Sequence, residues 1–357
     1  MEVVHLETGD PRWREVMARV RHDFYHLPEY TSLDAETNQA RPKAFWAREG
    51  DREFFIPYLQ RRCDVLFPGA EDASNVYDVI SPYGYPGIIL SDAARKSSGF
   101  VSGAIRGLVE TLGEQGVCSA FFRMNPLLSD DFAALFPDKF FMPSTDTVAM
   151  DLGLDDALIW KNVRDGHQST INKCRRLGFV PRMVPLREYI DPFIAIYEET
   201  MTRVNARDSY YFGRDYFEKL ASMPDGVHCC VAEIEGNVAA ACIFFECDGI
   251  VQAHLGGTKS EYLSKSPFHL VLYHVAGWAK SRGNHHLHLG GGVGGSGDRL
   301  LHFKRGFSPL LFPFHTARLI TNEEAYGKLT ALRARASDVS IEDLAKSDYF
   351  PAYRSPQ

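Results

Sequence analysis

Two stretches of this chain carry the same order of strands, turns and helix. In the first, KAFWAR and REFFIPYLQRR are strand-like runs joined through Glu49-Gly50-Asp51, a turn in which glycine supplies the backbone freedom that a tight hairpin needs. YDVISPYGYPGIIL follows, then an amphipathic helix with Val101, Ile105, Leu108, Val109 and Leu112 on one face, then the apolar run CSAFFRM. In the second, HCCVAEIE and VAAACIFFEC flank Gly236-Asn237, and Asp248-Gly249 turns into IVQAHLGGT. A helix over about 267–281 follows, with Pro267 suited to its first turn and Phe268, Val271, Leu272, Val275 and Trp278 on one stripe, and 284–289 is a return strand. A hairpin, a third strand, a helix and a return strand made twice predict an internal duplication of an α/β unit. The 357 residues suffice for two such domains, each with its own core. The expected division is 1–150, 151–320 and a helical tail over 321–357. The capping patterns Thr321-Asn322-Glu323-Glu324 and Ser340-Ile341-Glu342-Asp343 start the two tail helices.

Charge is split unevenly between the halves. Residues 1–150 hold 15 Lys+Arg against 22 Asp+Glu, whereas 151–357 hold 24 of each, so a polyanion is not expected on the first half. A helix is predicted over 155–177, stopped by Gly178, with Trp160, Val163, Ile171 and Cys174 on its apolar face. Residues 157–187 contain seven cations (Lys161, Arg164, Lys173, Arg175, Arg176, Arg182 and Arg187) and one acid, Asp165. This is either a solvated face with cations favoured at the helix end, or a track for phosphates, which Arg and Lys bind through charge and forked donors.

Several classes are excluded. With 45% hydrophobic and 24% charged residues the chain is neither disordered nor collagen-like. No uncharged apolar run is long enough to span a bilayer, and the N-terminus MEVVHLETGDPRWREV lacks the pattern of a secretory signal, so a cytoplasmic protein is expected. Seven cysteines without a C-x-x-C pair read as buried thiols in a reducing compartment. His285, His286 and His288 have no carboxylate or cysteine at ligand spacing, so no metal is expected. No G-x-S-x-G elbow or G-K-[ST] is present. The run Gly290-Gly291-Gly292-Val293-Gly294-Gly295-Ser296-Gly297 contains G-x-G-x-x-G, but the acids that follow, Glu323 and Glu324, fall in a capping pattern rather than at a strand end. It reads as a strand-end loop where a substrate approaches the backbone closely, not as a dinucleotide site, and no cofactor is expected. The loop leads into Asp298-Arg299-Leu300-Leu301-His302-Phe303-Lys304-Arg305-Gly306-Phe307, which puts two cations beside a glycine-rich strand end, where a developing oxyanion can be stabilised.

Taken together, these residues resemble the FemABX family of peptidyltransferases. The matching segments are Ser81-Pro82-Tyr83-Gly84-Tyr85-Pro86-Gly87, the basic helix with Ile171, Lys173 and Arg175-Arg176-Leu177-Gly178, Tyr197-Glu198-Glu199-Thr200-Met201 with Tyr210-Tyr211-Phe212, then 256–267, and 290–307 with its Phe303-Lys304 pair. The resemblance covers roughly 20–315 and rests on the order and spacing of short motifs. It implies two tandem GNAT-like domains, the first on the acceptor side and the second holding the donor and the reaction centre. It also implies transfer of an aminoacyl group from aminoacyl-tRNA to an amine of a peptidoglycan precursor or a small natural-product peptide. By the same resemblance Lys304, next to Phe303, contacts substrate phosphate or the aminoacyl carbonyl, and Tyr83, Tyr85, Tyr210 and Tyr211 line the acceptor cleft. Arg305 and His254 are further substrate-binding candidates. Asp298 and His254 are candidate bases, alongside proton transfer through substrate or water. Lys161, Arg164, Lys173, Arg175 and Arg176 are the candidate tRNA or phosphate contacts. One departure bears on the donor: 256–266 does not fit the [RQ]-x-x-G-x-[GA] loop with which GNAT enzymes grip the pyrophosphate of CoA. Acyl-CoA as donor and a non-catalytic binding module are the rival readings.

Overall fold

The structure, a computed structural model, describes all residues except 130–132, 138–139, 224, 294–297, 347–348 and 357. The chain divides into two compact units, Met1–Ser144 with Phe314–Gln357, and Thr145–Pro313. The first opens with β1 (Glu2–Glu7), α1 (Pro11–Met17) and α2 (Pro28–Thr37). The hairpin β2 (Arg41–Glu49) and β3 (Arg52–Arg62) follows, then β4 (Tyr77–Ile80), β5 (Ile89–Leu90), α3 (Ser98–Glu114) and β6 (Val117–Arg123). β7 (Phe141–Asp151) carries the chain into the second unit. There it forms α4 (Asp156–Asn162), α5 (Asp165–Arg176), β8 (Val180–Val184), α6 (Ile190–Arg203) and α7 (Arg214–Ser222). The meander β9 (Val227–Ile234), β10 (Asn237–Cys247) and β11 (Ile250–Thr258) comes next, then α8 (Phe268–Ser281), β12 (His286–Gly291) and α9 (Arg299–Arg305). β13 (Leu311–Ile320) returns the chain to the first unit, which ends in α10 (Glu323–Ser337) and α11 (Ile341–Lys346).

The duplication is larger than the sequence pattern suggests. In the first unit β1, β2, β3 and β4 pair antiparallel in that order, β4 pairs parallel with β6, and β6 pairs antiparallel with β13. In the second, β8, β9, β10 and β11 pair antiparallel, β11 pairs parallel with β12, and β12 pairs antiparallel with β7. Each copy also has an edge strand and two helices ahead of its hairpin. Those elements carry weak periodicity: VPRMV is an edge strand with no fully buried residue, and α2 buries Thr31 and Asp34 as well as Tyr30 and Leu33. Each unit has its own core. Phe45, Phe54, Ile56, Val101, Ile105, Leu108, Leu112 and Phe122 fill the first, and Ile171, Cys174, Phe244, Val271, Leu272, Val275, Leu287 and Leu289 the second.

Three expectations are revised. The helix expected over 155–177 is two helices, because Val163 and Arg164 are extended (ψ 124° and 142°). Gln168 Nε2 donates to the carbonyls of Trp160 and Val163 at 2.9 and 2.8 Å, and Arg164 N donates to Gly306 O at 2.8 Å, so the break is hydrogen-bonded rather than frayed. The turn between β9 and β10 is Glu235-Gly236, both at positive φ (52° and 79°), one residue earlier than Gly236-Asn237. Residues 321–357 are part of the first unit rather than a separate tail. Tyr353 and Leu329 pack with Cys63, Phe67 and Cys118, and the buried Asp78 carboxylate accepts hydrogen bonds from Arg61, Tyr353 and Arg354. α10 is capped by Asn322, which accepts from Ala325 N at 3.0 Å, while Ser340 caps α11 by accepting from Asp343 N at 3.0 Å.

Candidate active site

In the second unit β11 and β12 pair for three residues only, 250–252 against 286–288, although β11 continues along β10 to Thr258 and β12 continues to Gly291. A bulge accompanies the parting: Ile243 faces Leu255 and Phe244 faces Ala253, which makes His254 the extra residue of β11. Bulges bend a strand and re-aim it. The last shared rung pairs Gln252 with His288, both buried, and a 2.5 Å hydrogen bond links Gln252 Oε1 to His288 Nδ1. Burial and the Lys304 charge push the His288 pKa down to about 3, so the imidazole is neutral, and Nδ1 donates because the amide oxygen can only accept.

Lys304 comes to this strand end from α9. Asp298 caps that helix, its Oδ1 accepting from Leu301 N at 3.0 Å, and the Lys304 ammonium donates to Gly291 O at 2.6 Å. Burial lowers its pKa to about 8, against the opposing influence of Cys242 and Asp298. Gly292 explains part of the glycine run: a Cβ there would lie 1.8 Å from Asp298 Oδ2, so only glycine leaves room for the capping carboxylate. Gly294, Gly295, Ser296 and Gly297 lie outside the described residues.

α5 is locked to α9 by Arg164 and by a histidine that the sequence did not single out. His167, buried, donates from Nε2 to Phe303 O at 2.9 Å, and its ring is 4.4 Å from His269 and 4.8 Å from Phe307. Arg164 reaches His302 Nε2 at 2.7 Å and His167 Nδ1 at 3.4 Å. The Phe303 ring packs 4.9 Å from His269 and 5.4 Å from Phe307. Burial lowers the pKa of His167 and takes that of His269 to about 4, so both rings are neutral. The one available sequence signal for His167 is its spacing, since His167, Ile171 and Cys174 share the buried face of α5.

The structure therefore places Lys304, Phe303 and Asp298 at one strand end, and Arg164 meets the same helix at His302. Arg305 lies on the same helix in an exposed ion pair with Asp146 at 3.0 Å. His254 accepts or donates at 3.0 Å with the Tyr216 hydroxyl and lies 4.2 Å from the Phe245 ring; burial holds it near pKa 3, which makes it a weak base. Tyr210 and Tyr211 are exposed on the turn after α6, where Tyr197 donates to Tyr210 O at 2.8 Å. Lys161, Lys173, Arg175 and Arg176 are exposed, and with Arg164 they make no ion pair among the described residues. By contrast Arg182, Arg214 and Arg282 of the same unit each meet a carboxylate.

The segment before α8 is poorly suited to holding a pyrophosphate. Ser260 N donates to Glu199 Oε2 at 2.7 Å, which puts a carboxylate where an anion would need that amide, and Lys259 is paired with Glu261 at 2.7 Å. In the first unit the matching place is filled by the chain itself. Residues 81–90 run past the end of β6 and pair β5 back onto β3, and a Cβ on Gly87 would lie 2.7 Å from Asn125 N. Tyr83 and Tyr85 sit on this segment, which is held by Asp34 Oδ2 accepting from Tyr83 N at 2.8 Å, Tyr30 donating to Tyr83 O at 3.1 Å, and Asn125 Nδ2 donating to Tyr85 O at 2.9 Å.

Comparison with known proteins bears on the fold. Residues 161–305 match the family model described as an acetyltransferase (GNAT) domain. The crystal structure of FemX superposes with a TM-score of 0.69 at 11% identity, covering 91% of this chain and 99% of FemX. The C-terminal domain of a putative lysylphosphatidylglycerol synthetase from Agrobacterium fabrum superposes with a TM-score of 0.57 at 14% identity, covering 90% and 96%. No curated protein sequence matches the chain. Residues 161–305 thus match an acetyltransferase (GNAT) domain, and the chain as a whole shares the fold of FemX.

Proposed function

We propose that this protein transfers an aminoacyl group from aminoacyl-tRNA to the amine of a peptidoglycan precursor or a small natural-product peptide, at the place where β11 and β12 part. The observation that carries this reading is Lys304: a cation held against Gly291 O at the open strand end, on a helix packed against the basic α5. The amine nitrogen would attack the ester carbonyl directly, forming the amide N–C bond through a tetrahedral oxyanion. The C–O bond to the ribose then breaks, and the proton lost by the amine ends on the ribose oxygen. Lys304 supplies positive charge to the oxyanion, and the parted strands juxtapose the two reactants. Asp298 supports this through α9, as its cap and as a negative charge that favours the protonated lysine. Tyr210 and Tyr211, in the same unit as Lys304, are the proposed acceptor contacts.

Acyl-CoA is the weaker donor because Glu199 and Glu261 occupy the amide and the cation that a pyrophosphate would use before α8. A non-catalytic module would have little reason to keep a lysine whose burial works against its charge. The test is turnover by Lys304→Met with charged tRNA and with acetyl-CoA as separate donors. Loss of roughly 10²–10³ in kcat with charged tRNA is expected, as for removal of one oxyanion donor. Unchanged turnover would remove Lys304 from the chemistry.

A further inference from the structure

The C-terminal turn of α5 carries a feature that catalysis at Lys304 leaves unexplained. Trp160 from α4 and Tyr273 from α8 meet edge to face with ring centroids 4.8 Å apart, and the Arg175 guanidinium lies 6.0 Å from the first ring and 5.5 Å from the second. Both rings are half-buried, Arg175 is exposed, and no carboxylate pairs with Arg175 among the described residues. Lys161 adjoins Trp160, and Lys173 and Arg176 flank Arg175; all three are exposed. A half-buried tryptophan, a tyrosine and a guanidinium on a helix that carries further exposed cations match the chemistry of an unpaired nucleic-acid strand, whose bases stack on such groups while its phosphates need the charge. The location fits as well. α5 touches the Lys304 helix through Arg164 and His167 at one end and carries Arg175 eleven residues on, a separation of about 16 Å at the helical rise.

We infer that Trp160, Arg175 and Tyr273 form a stacking site for an unpaired base of the donor RNA, with Lys161, Lys173 and Arg176 on the neighbouring phosphates. The inference rests on the aminoacyl-tRNA reading and extends it to a named base-binding site outside the reaction centre.

The test is titration of the full chain with uncharged tRNA and with a short single-stranded RNA across a salt series, followed by tryptophan emission and by an independent binding signal. Both RNAs should quench the wild-type protein, and Trp160→Phe should abolish most of the quenching while keeping binding within a few fold. Arg175→Gln and Tyr273→Leu should weaken binding roughly 5–150-fold, the loss of one stacked base. Lys173→Gln should instead flatten the salt dependence by about 0.7 in slope. If RNA binds the wild type but Trp160→Phe keeps full quenching, or Arg175→Gln keeps full affinity, the stacking site is wrong and the tRNA reading survives. If neither RNA binds the wild type at low salt while CoA quenches Trp160, the tRNA reading fails and the inference with it. Arg175 is exposed, so its variant should fold normally even if Tyr273→Leu does not.

Discussion

Lys304 illustrates how much a residue's environment adds to its sequence motif. The Phe303-Lys304 pair beside a glycine-rich strand end was legible in the sequence, but the lowered pKa depends on burial that no local pattern reveals. The sign of the effect can be checked in solution. An unfolded lysine keeps its proton to about 10.5, whereas folded Lys304 loses it near 8. Between those values the unfolded chain binds more protons, so the contribution of this group to stability rises with pH from about 8 to about 10.5. Lys304→Met should lack that rise in denaturation curves and should be more stable than wild type at pH 7, while turnover falls. With Lys304 in its proposed role as a cation, wild-type activity should decline as pH rises through about 8; a rise there would mean that the neutral amine works as a base. His167 was not legible, because a histidine on a buried helical face resembles any other core residue. Its contact with Gly306 makes a second prediction: a Cβ at 306 would lie 2.2 Å from His167 Nε2, so Gly306→Ala should cost about 1–3 kcal/mol by overpacking, read as a lower denaturation midpoint.

At the scale of elements, hairpins and the α8 stripe were legible because period-two alternation and a 3.6-residue stripe are properties of short stretches. Asp248-Gly249 is a further case, since both residues adopt the positive φ (46° and 80°) that a two-residue turn requires. The break between α4 and α5 was not legible, because one of its hydrogen-bond partners, Gly306 O, lies far along the chain. That break places Arg164 and His167 against α9. His167→Ala should therefore reduce kcat while leaving RNA affinity near wild type, and His167→Gln, which can still donate to Phe303 O, should recover part of the loss. Equal loss in both variants would assign His167 to packing alone.

At the scale of the whole chain, the repeated order of elements predicted the duplication, and the structure extends it to an edge strand, a helix pair and a closing strand in each copy. The difference between the copies was hidden. The segment containing Ser81-Pro82-Tyr83-Gly84-Tyr85-Pro86-Gly87 fills the first unit's slot, and the second unit's strands part around an open one. The unit with the open slot, residues 145–313, holds 18 Lys+Arg against 19 Asp+Glu, and the exposed cations of α4 and α5 lie in it. No helix among the described residues is long and apolar enough to cross a membrane. The C-terminal segment is anchored by charge: Asp78 is fully buried, and Arg354 and Arg61 are its partners. Arg354→Ala should cost about 3–5 kcal/mol by leaving that carboxylate short of a partner, visible as a large drop in thermal midpoint.

Amide formation from charged tRNA at Lys304 would leave its mark on the acceptor's mass. Its most direct test is mass spectrometry of candidate acceptor amines after incubation with total charged tRNA, for the wild type and for Lys304→Met. The wild type should give an acceptor heavier by one aminoacyl residue, with no such product after ribonuclease treatment of the tRNA and at most a trace with the variant. A product formed from acyl-CoA in the absence of tRNA, or formed by Lys304→Met at the wild-type rate, would contradict amide formation from charged tRNA at Lys304.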